Sequence, residues 1–246
     1  MKKAFITFVC SLIAVIAMAV PARPGARVYT QPDGTSIQIY VYGDETYHFT
    51  TDKDGNILRL NQEGYYLPTG EQANDASIQS RRAKGKIQRP HKMRKVGSVN
   101  LAPRGLFILV NFTDSKFDSS NSLSEMKKMI AQTGYNYDGA PGSVYDYFVA
   151  QSDGKYSPQF DVYGPVTVSN NTAYYGANDS QDNDVRPEEM VIEACRLVDS
   201  QYGVDFSVYD GDNDGFVDFV YCIYAGKGEA DGGAENTIWP HQWNIY

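Results

Sequence analysis

The sequence has 246 residues, 42% hydrophobic and 21% charged, which is enough apolar material for a sizeable core in one or two domains. Asp and Glu number 30 against 22 Lys and Arg, a formal net charge of -8. That balance excludes nucleic acid as a general partner, because neutralising phosphates requires a basic surface.

The first elements concern export. Lys2 and Lys3 precede an uncharged apolar run from Ala4 to Val20, and Ala17-Met18-Ala19 and Val20-Pro21-Ala22 offer small residues where a signal peptidase reads. The pattern predicts a secretory signal peptide over residues 1–22. A membrane anchor is the competing assignment, but the run is barely long enough to span and leads at once into Pro21, Arg23 and Pro24. Stable membrane insertion is not expected, and the expected location is extracellular or at the cell surface. Cys10 follows Val9 rather than the small residue that precedes a lipidated cysteine, so a lipoprotein is not expected either. Export leaves Cys195 and Cys222, which could form one disulfide or serve as buried small apolar residues. Their settings, an apolar helix face and an apolar strand, favour the second use.

Residues 23–75 read as a β-rich unit. Ile37, Ile39 and Val41 alternate with Gln38, Tyr40 and Tyr42, the period of a half-buried strand. Turn signals recur at Asp33-Gly34, Asp54-Gly55 and Glu63-Gly64, so Arg27 to Pro68 is expected to form a small antiparallel meander. From Thr69 the pattern fails. A polar stretch to Ser80 gives way to Arg81, Arg82, Lys84, Lys86, Arg89, Lys92, Arg94 and Lys95. Residues 76–100 are expected to be an exposed basic linker, a solvated spacer that a processing protease could also reach.

A second unit, residues 101–246, alternates strand and helix patterns and is α/β in character. The continuous apolar run Leu106 to Phe112 predicts a strand buried on both faces. Ser122 with Glu125 has capping-box spacing for a helix through about Gln132. Ser143 with Asp146 predicts another helix, carrying Val144, Tyr147 and Phe148 inward. Gln159 to Val168 reads as a strand or hairpin. Pro187, Glu188 and Glu189 suit the first turn of a helix whose buried face is Val191, Ala194, Cys195 and Val198. Phe216 to Tyr224 predicts a further aromatic strand.

The strongest chemical motif is Asp210-Gly-Asp212-Asn-Asp214-Gly215-Phe-Val-Asp218. Carboxylates at the first, third, fifth and ninth positions, with Gly at the sixth, can turn oxygens around a hard cation that wants six to eight of them. Tyr221 replaces the bidentate Glu of a full EF-hand, and a strand rather than a helix follows. Asp210, Asp212, Asp214 and Asp218 are therefore candidate calcium ligands in a shortened loop. The plainer alternative, an acidic surface turn, leaves four like charges close together. The three histidines, His48, His91 and His241, show no i, i+4 pairing, and H-E-x-x-H is absent. From the residues alone no catalytic constellation is recognisable, and His241, set among Trp239, Pro240 and Trp243, is expected to be a packed structural histidine.

Taken in order, these segments resemble the immune inhibitor A family of secreted bacterial metallopeptidases. Gln31-Pro-Asp-Gly-Thr35, Tyr42-Gly-Asp-Glu45 and Tyr47-His48 are similar to its propeptide. Leu106 to Phe112, Ser143 to Phe148, Phe160 to Val166, Tyr174 to Gly176, Asp210 to Asp218, Ala225-Gly226 and Thr237 to His241 are similar to successive signatures of its catalytic domain. The resemblance implies a fold: a zincin-like α/β metallopeptidase domain, preceded by a small antiparallel β propeptide. It also implies a secreted endopeptidase acting on proteins or peptides, with zinc as cofactor beside the calcium. In that family a zinc helix, H-E-x-x-H, follows the Trp-Pro-His segment. The sequence reaches Tyr246 before any such helix, so no zinc ligand or general base transfers to a numbered residue. The chain is accordingly expected to be the N-terminal portion of the enzyme, either a fragment of it or a truncated remnant, and inactive as it stands. The alternative from another class is a calcium-stabilised extracellular adhesion or carbohydrate-binding module. The linker reading has a direct check: dilute trypsin should cut first between Arg81 and Lys95, and product sequencing that places the earliest cuts inside residues 101–246 would contradict it.

Overall fold

A computed structural model of the protein describes residues 22–44, 47–76, 78–81, 102–180, 183–242 and 245. Residues 1–21 of the expected signal peptide and 82–100 of the expected linker lie outside these. The fold is mixed α/β, with one antiparallel and one parallel sheet. No helix among the described residues is long and apolar enough to cross a membrane.

The antiparallel sheet is the expected meander. It comprises β1 (Arg27–Thr30), β2 (Ser36–Asp44), β3 (Tyr47–Thr51), β4 (Asn56–Leu60) and β5 (Tyr66–Gln72), each paired with the next. The turns fall at the expected places, with Gly34, Gly55 and Gly64 all at positive φ near 85°, a region that costs glycine little. Polar side chains reinforce two of them. Asp52 Oδ1 accepts from the N–H groups of Asp54 and Asn56 at 2.9 Å, and Asn61 Oδ1 accepts from those of Glu63 and Tyr65. Ile39, Leu58 and Tyr66 form one small core, with Tyr29, Ile37 and Leu60 around it.

The packing of this unit runs on through the polar stretch. Residues 78–81 are helical, and Ile78 is 0% exposed, packed with Tyr47 and Ile57. Arg81 forks onto Glu71 at 2.7 and 3.1 Å. One apolar residue in a polar run sets up no periodicity to read, yet it is enough to anchor a turn of helix on a sheet.

The parallel sheet is built around β6 (Arg104–Asn111), flanked by β7 (Gln159–Thr167) and β8 (Val220–Tyr224) in the order β7-β6-β8. Leu106 to Val110 are all buried, and the strand period sends them to opposite sides. Phe107 and Leu109 meet Met126 and Ile130 of α1 (Leu123–Ala131). Leu106, Ile108 and Val110 meet Met190, Ala194 and Val198 of α4 (Pro187–Tyr202). Each fully buried aliphatic side chain contributes roughly 1.5–3 kcal/mol, so β6 with its two helices is the dominant apolar cluster. Between them lie α2 (Val144–Gln151) and the single turn α3 (Thr172–Tyr175).

The helix ends follow the sequence. Ser122 accepts from the N–H of Glu125, opening α1. Ser143 accepts from the N–H of Asp146, and the Asp146 carboxylate accepts from that of Ser143 at 2.8 Å, completing a capping box on α2. That donor, with the N–H of Gly134, holds the Asp146 carboxyl below its usual range. Pro187 opens α4, and Gly203, left-handed at φ 62°, closes it.

Two expectations are corrected. Tyr147 points outward and is 60% exposed. Val144 and Phe148, four apart, share the inner face, and Tyr147 lies a further turn-step round the helix. Phe216 is equally exposed, and the strand starts at Val220, because Asp210 to Asp218 close the aspartate-rich loop before the chain reaches β6.

Ile78→Ala should lower stability by about 2–5 kcal/mol, whereas Val28→Ala, at an exposed position, should change it little. Urea unfolding midpoints measure both.

Candidate functional site

The aspartate-rich loop leaves a short 3-10 turn, Phe206–Tyr209, at Asp210 and ends at β8. Two residues at positive φ, Asn213 at 57° and Gly215 at 89°, reverse the chain within it. The Asp210 carboxylate faces into the bend and accepts from the N–H groups of Asp214 at 3.1 Å and Gly215 at 2.8 Å. Asp212 accepts from Asp214 N–H, and Asp214 from Phe216 N–H. One carboxylate oxygen from each of Asp210, Asp212 and Asp214 lies within 4.8 Å of the others. The structure thus brings three of the four sequence candidates together. Asp218 stands at the neck, where it accepts from Gly211 N–H at 2.9 Å and donates its own N–H to the Tyr209 carbonyl.

Among the described residues this is the one group of three or more His, Cys, Asp or Glu side chains placed to share a metal ion. Its donors are all carboxylate oxygens, a set suited to calcium or magnesium. Zinc prefers imidazole and thiolate donors with few oxygens, so these residues do not fit a catalytic zinc.

Cys195 and Cys222 are free thiols packed against the α4 side of the core. Burial pushes the Cys195 thiol up to about 11 and raises Cys222 as well, so neither is a ready nucleophile at neutral pH.

A second constellation joins the two units. The segment 228–241, after β8, is clamped between them. On the α/β side, Tyr224 donates its hydroxyl to the Ile238 carbonyl at 2.8 Å, Trp239 N–H donates to Asp184 at 2.9 Å, and a Cβ on Gly176 would overlap the backbone of Thr237 and Ile238. From the meander, Arg27 donates to the carbonyls of Glu229 and Ala230 at 2.9 and 2.6 Å. Leu60 N–H donates to the Glu235 carboxylate, and Tyr66 hydroxyl accepts from Glu235 N–H at 3.1 Å. Burial, reinforced by the Glu235 and Glu229 charges, pushes the Tyr66 phenol far up, so it stays protonated. Val41 packs with Ala230 and Trp239.

At the centre, His48 stacks on Trp239 with ring centroids 4.1 Å apart and 18° between planes. Its Nε2 lies 3.1 Å from Glu229 Oε2, the two side chains being 3% and 1% exposed. The separation is within ion-pair range, an attraction between opposite charges when the imidazole is protonated. His241 is packed and hydrogen-bonded as expected. Its Nδ1 lies 2.6 Å from the Trp239 carbonyl, and since a carbonyl only accepts, Nδ1 carries the hydrogen. Sequence reasoning missed the pairing of His48 with Glu229, and no local signal could have supplied it.

A family model described as immune inhibitor A peptidase M6, catalytic domain, matches residues 91–246. The pre-pro-metalloprotease PrtV of Vibrio cholerae serotype O1 is 25% identical over 193 residues, covering 63% of this chain and 21% of that protein. Immune inhibitor A of Bacillus thuringiensis subsp. alesti is 32% identical over 120 residues, covering 40% of this chain and 17% of that protein. The chain spans about a fifth of the length of these relatives.

Proposed function

The chain belongs to the immune inhibitor A peptidase M6 family, and from that premise we propose that it is the N-terminal portion of a secreted, zinc-dependent endopeptidase acting on proteins or peptides. The observation that carries this reading is the family match over residues 91–246, which takes in the whole parallel sheet, its helices and the 228–241 segment. Zincin-like architecture is the finer form of the same reading.

In this reading residues 1–22 are a signal peptide, the meander is a propeptide and the basic stretch that follows is its processing site. The family match begins at residue 91, beyond the meander, and the Vibrio relative is itself named a pre-pro-metalloprotease. The catalytic zinc ligands and general base of this reading are those of an H-E-x-x-H helix, and none of them is assigned to a residue of this chain. When bound, zinc would supply the activated water of a metallopeptidase. What this chain contributes is the sheet on which the cleft is built and the segment that leads toward it. A binding module is not favoured, because the family match is to a catalytic domain.

The aspartate loop is the calcium site of this reading, with Asp210, Asp212 and Asp214 as ligands and Asp218 closing the loop. The cation would offset the repulsion of carboxylates held within 4.8 Å and fix the approach to β8.

Two experiments test these assignments. The 246-residue chain should leave a general protein substrate uncut, while the product of the full reading frame should cleave it in a chelator-sensitive way; chelator-resistant cleavage by the full product would refute zinc dependence. Calcium at a hundredfold excess over its Kd should stabilise the chain by about 2.7 kcal/mol, read as a rise in Tm over the chelated sample. The Asp212→Ala, Asp214→Ala double variant should lose that response, and an equal response in both proteins would remove the site.

A further inference from the structure

The buried contact between His48 and Glu229 has no part in the proposed catalysis. It lies where β3 of the meander meets segment 228–241, and its surroundings favour imidazolium facing carboxylate. The Trp239 face beneath His48 attracts a cation. Glu235 shares the same crevice, and Asp231 lies two residues beyond Glu229. On the cationic side Arg59 lines the crevice, and Arg27 is committed to the Glu229 and Ala230 carbonyls. Tyr66 and Tyr224 near Glu229 stay protonated, pushed up by burial. Asp184, beneath Trp239, is met by the Trp239 N–H and lies 3.9 Å from His241.

We propose that His48 and Glu229 form a one-proton latch that makes the seating of the meander on segment 228–241 dependent on pH, tightest in mildly acidic solution and weaker above neutrality. The latch acts in the unprocessed chain, whether or not the meander is later removed.

Its sign follows from the protons bound. Seated, the pair holds one proton. A second proton leaves imidazolium facing a neutral acid, and loss of the first leaves a carboxylate facing a neutral ring; either is a buried charge without its partner. Apart in water, the two side chains together hold two protons below about pH 4.3, one between there and about pH 6.5, and none above. Above about pH 6.5 seating therefore takes up a proton, and its equilibrium constant falls by up to roughly tenfold per pH unit until the seated pair itself deprotonates. Below about pH 4.3 seating releases a proton, and the constant falls again as pH drops.

With only three histidines, the imidazole signals of the full chain can be followed by NMR, His91→Gln and His241→Gln assigning them by elimination. In the native chain His48 should remain an imidazolium at about pH 7.5, whereas in urea it should titrate with a midpoint near 6.5. Hydrogen-exchange protection of the β3 amides, taken relative to the unfolded chain at each pH, should fall severalfold as pH is raised through that range. In Glu229→Gln, His48 should be neutral at about pH 7.5 and the protection should lose this slope. A neutral His48 in the native wild type at that pH, or the same slope in Glu229→Gln, would overturn the latch. Should that variant fail to fold, the protonation state of His48 in the wild type still decides.

Discussion

The double-sided burial of β6 is the constraint from which the rest of the second unit follows. A strand with no solvent face must be covered on both sides and paired along both edges. α1 covers Phe107 and Leu109, α4 covers Leu106, Ile108 and Val110, and β7 and β8 take the edges in parallel. Parallel neighbours cannot be joined by tight turns, so the connections are long and carry helices. The aspartate loop is part of one such connection. It hangs where the chain returns from α4 to β8, and its carboxylates converge because the chain must reverse there within a few residues.

The segment 228–241 is held by both units at once and is the joint of the molecule. Against the α/β core it is fixed by Tyr224, Asp184 and the close approach at Gly176. Against the meander it is fixed by Arg27, Leu60 and Tyr66, with His48 laid on Trp239. The meander's own cores are small, so docking on this segment adds burial that five short strands do not supply alone.

Local chemistry fixed much of this in advance. The strand period of Ile37 to Val41, the glycine turns, the Ser122 and Ser143 caps and Pro187 all act over a few residues, and the elements they announced are present. The unbroken apolar run at Leu106 to Phe112 announced a central strand, because only a strand covered on both faces can carry no polar side. The spacing of Asp210, Asp212 and Asp214 announced their convergence for the same reason: a sharp bend brings alternate residues together whatever surrounds it.

Tertiary structure decided what depends on partners distant in sequence. Ile78 sits in a stretch that reads as polar, and only Tyr47 and Ile57, distant in sequence, bury it. Tyr147 and Phe216 looked like core and are exposed, because hydrophobic character alone does not say which face of an element finds a neighbour. Above all, His48 and Glu229 belong to units with separate patterns, and nothing near either residue marks the other. Each would be a solvated polar group by itself. They are buried together because the Arg27, Tyr66 and Trp239 contacts bring β3 onto the 228–241 segment, which sets His48 Nε2 3.1 Å from Glu229 Oε2.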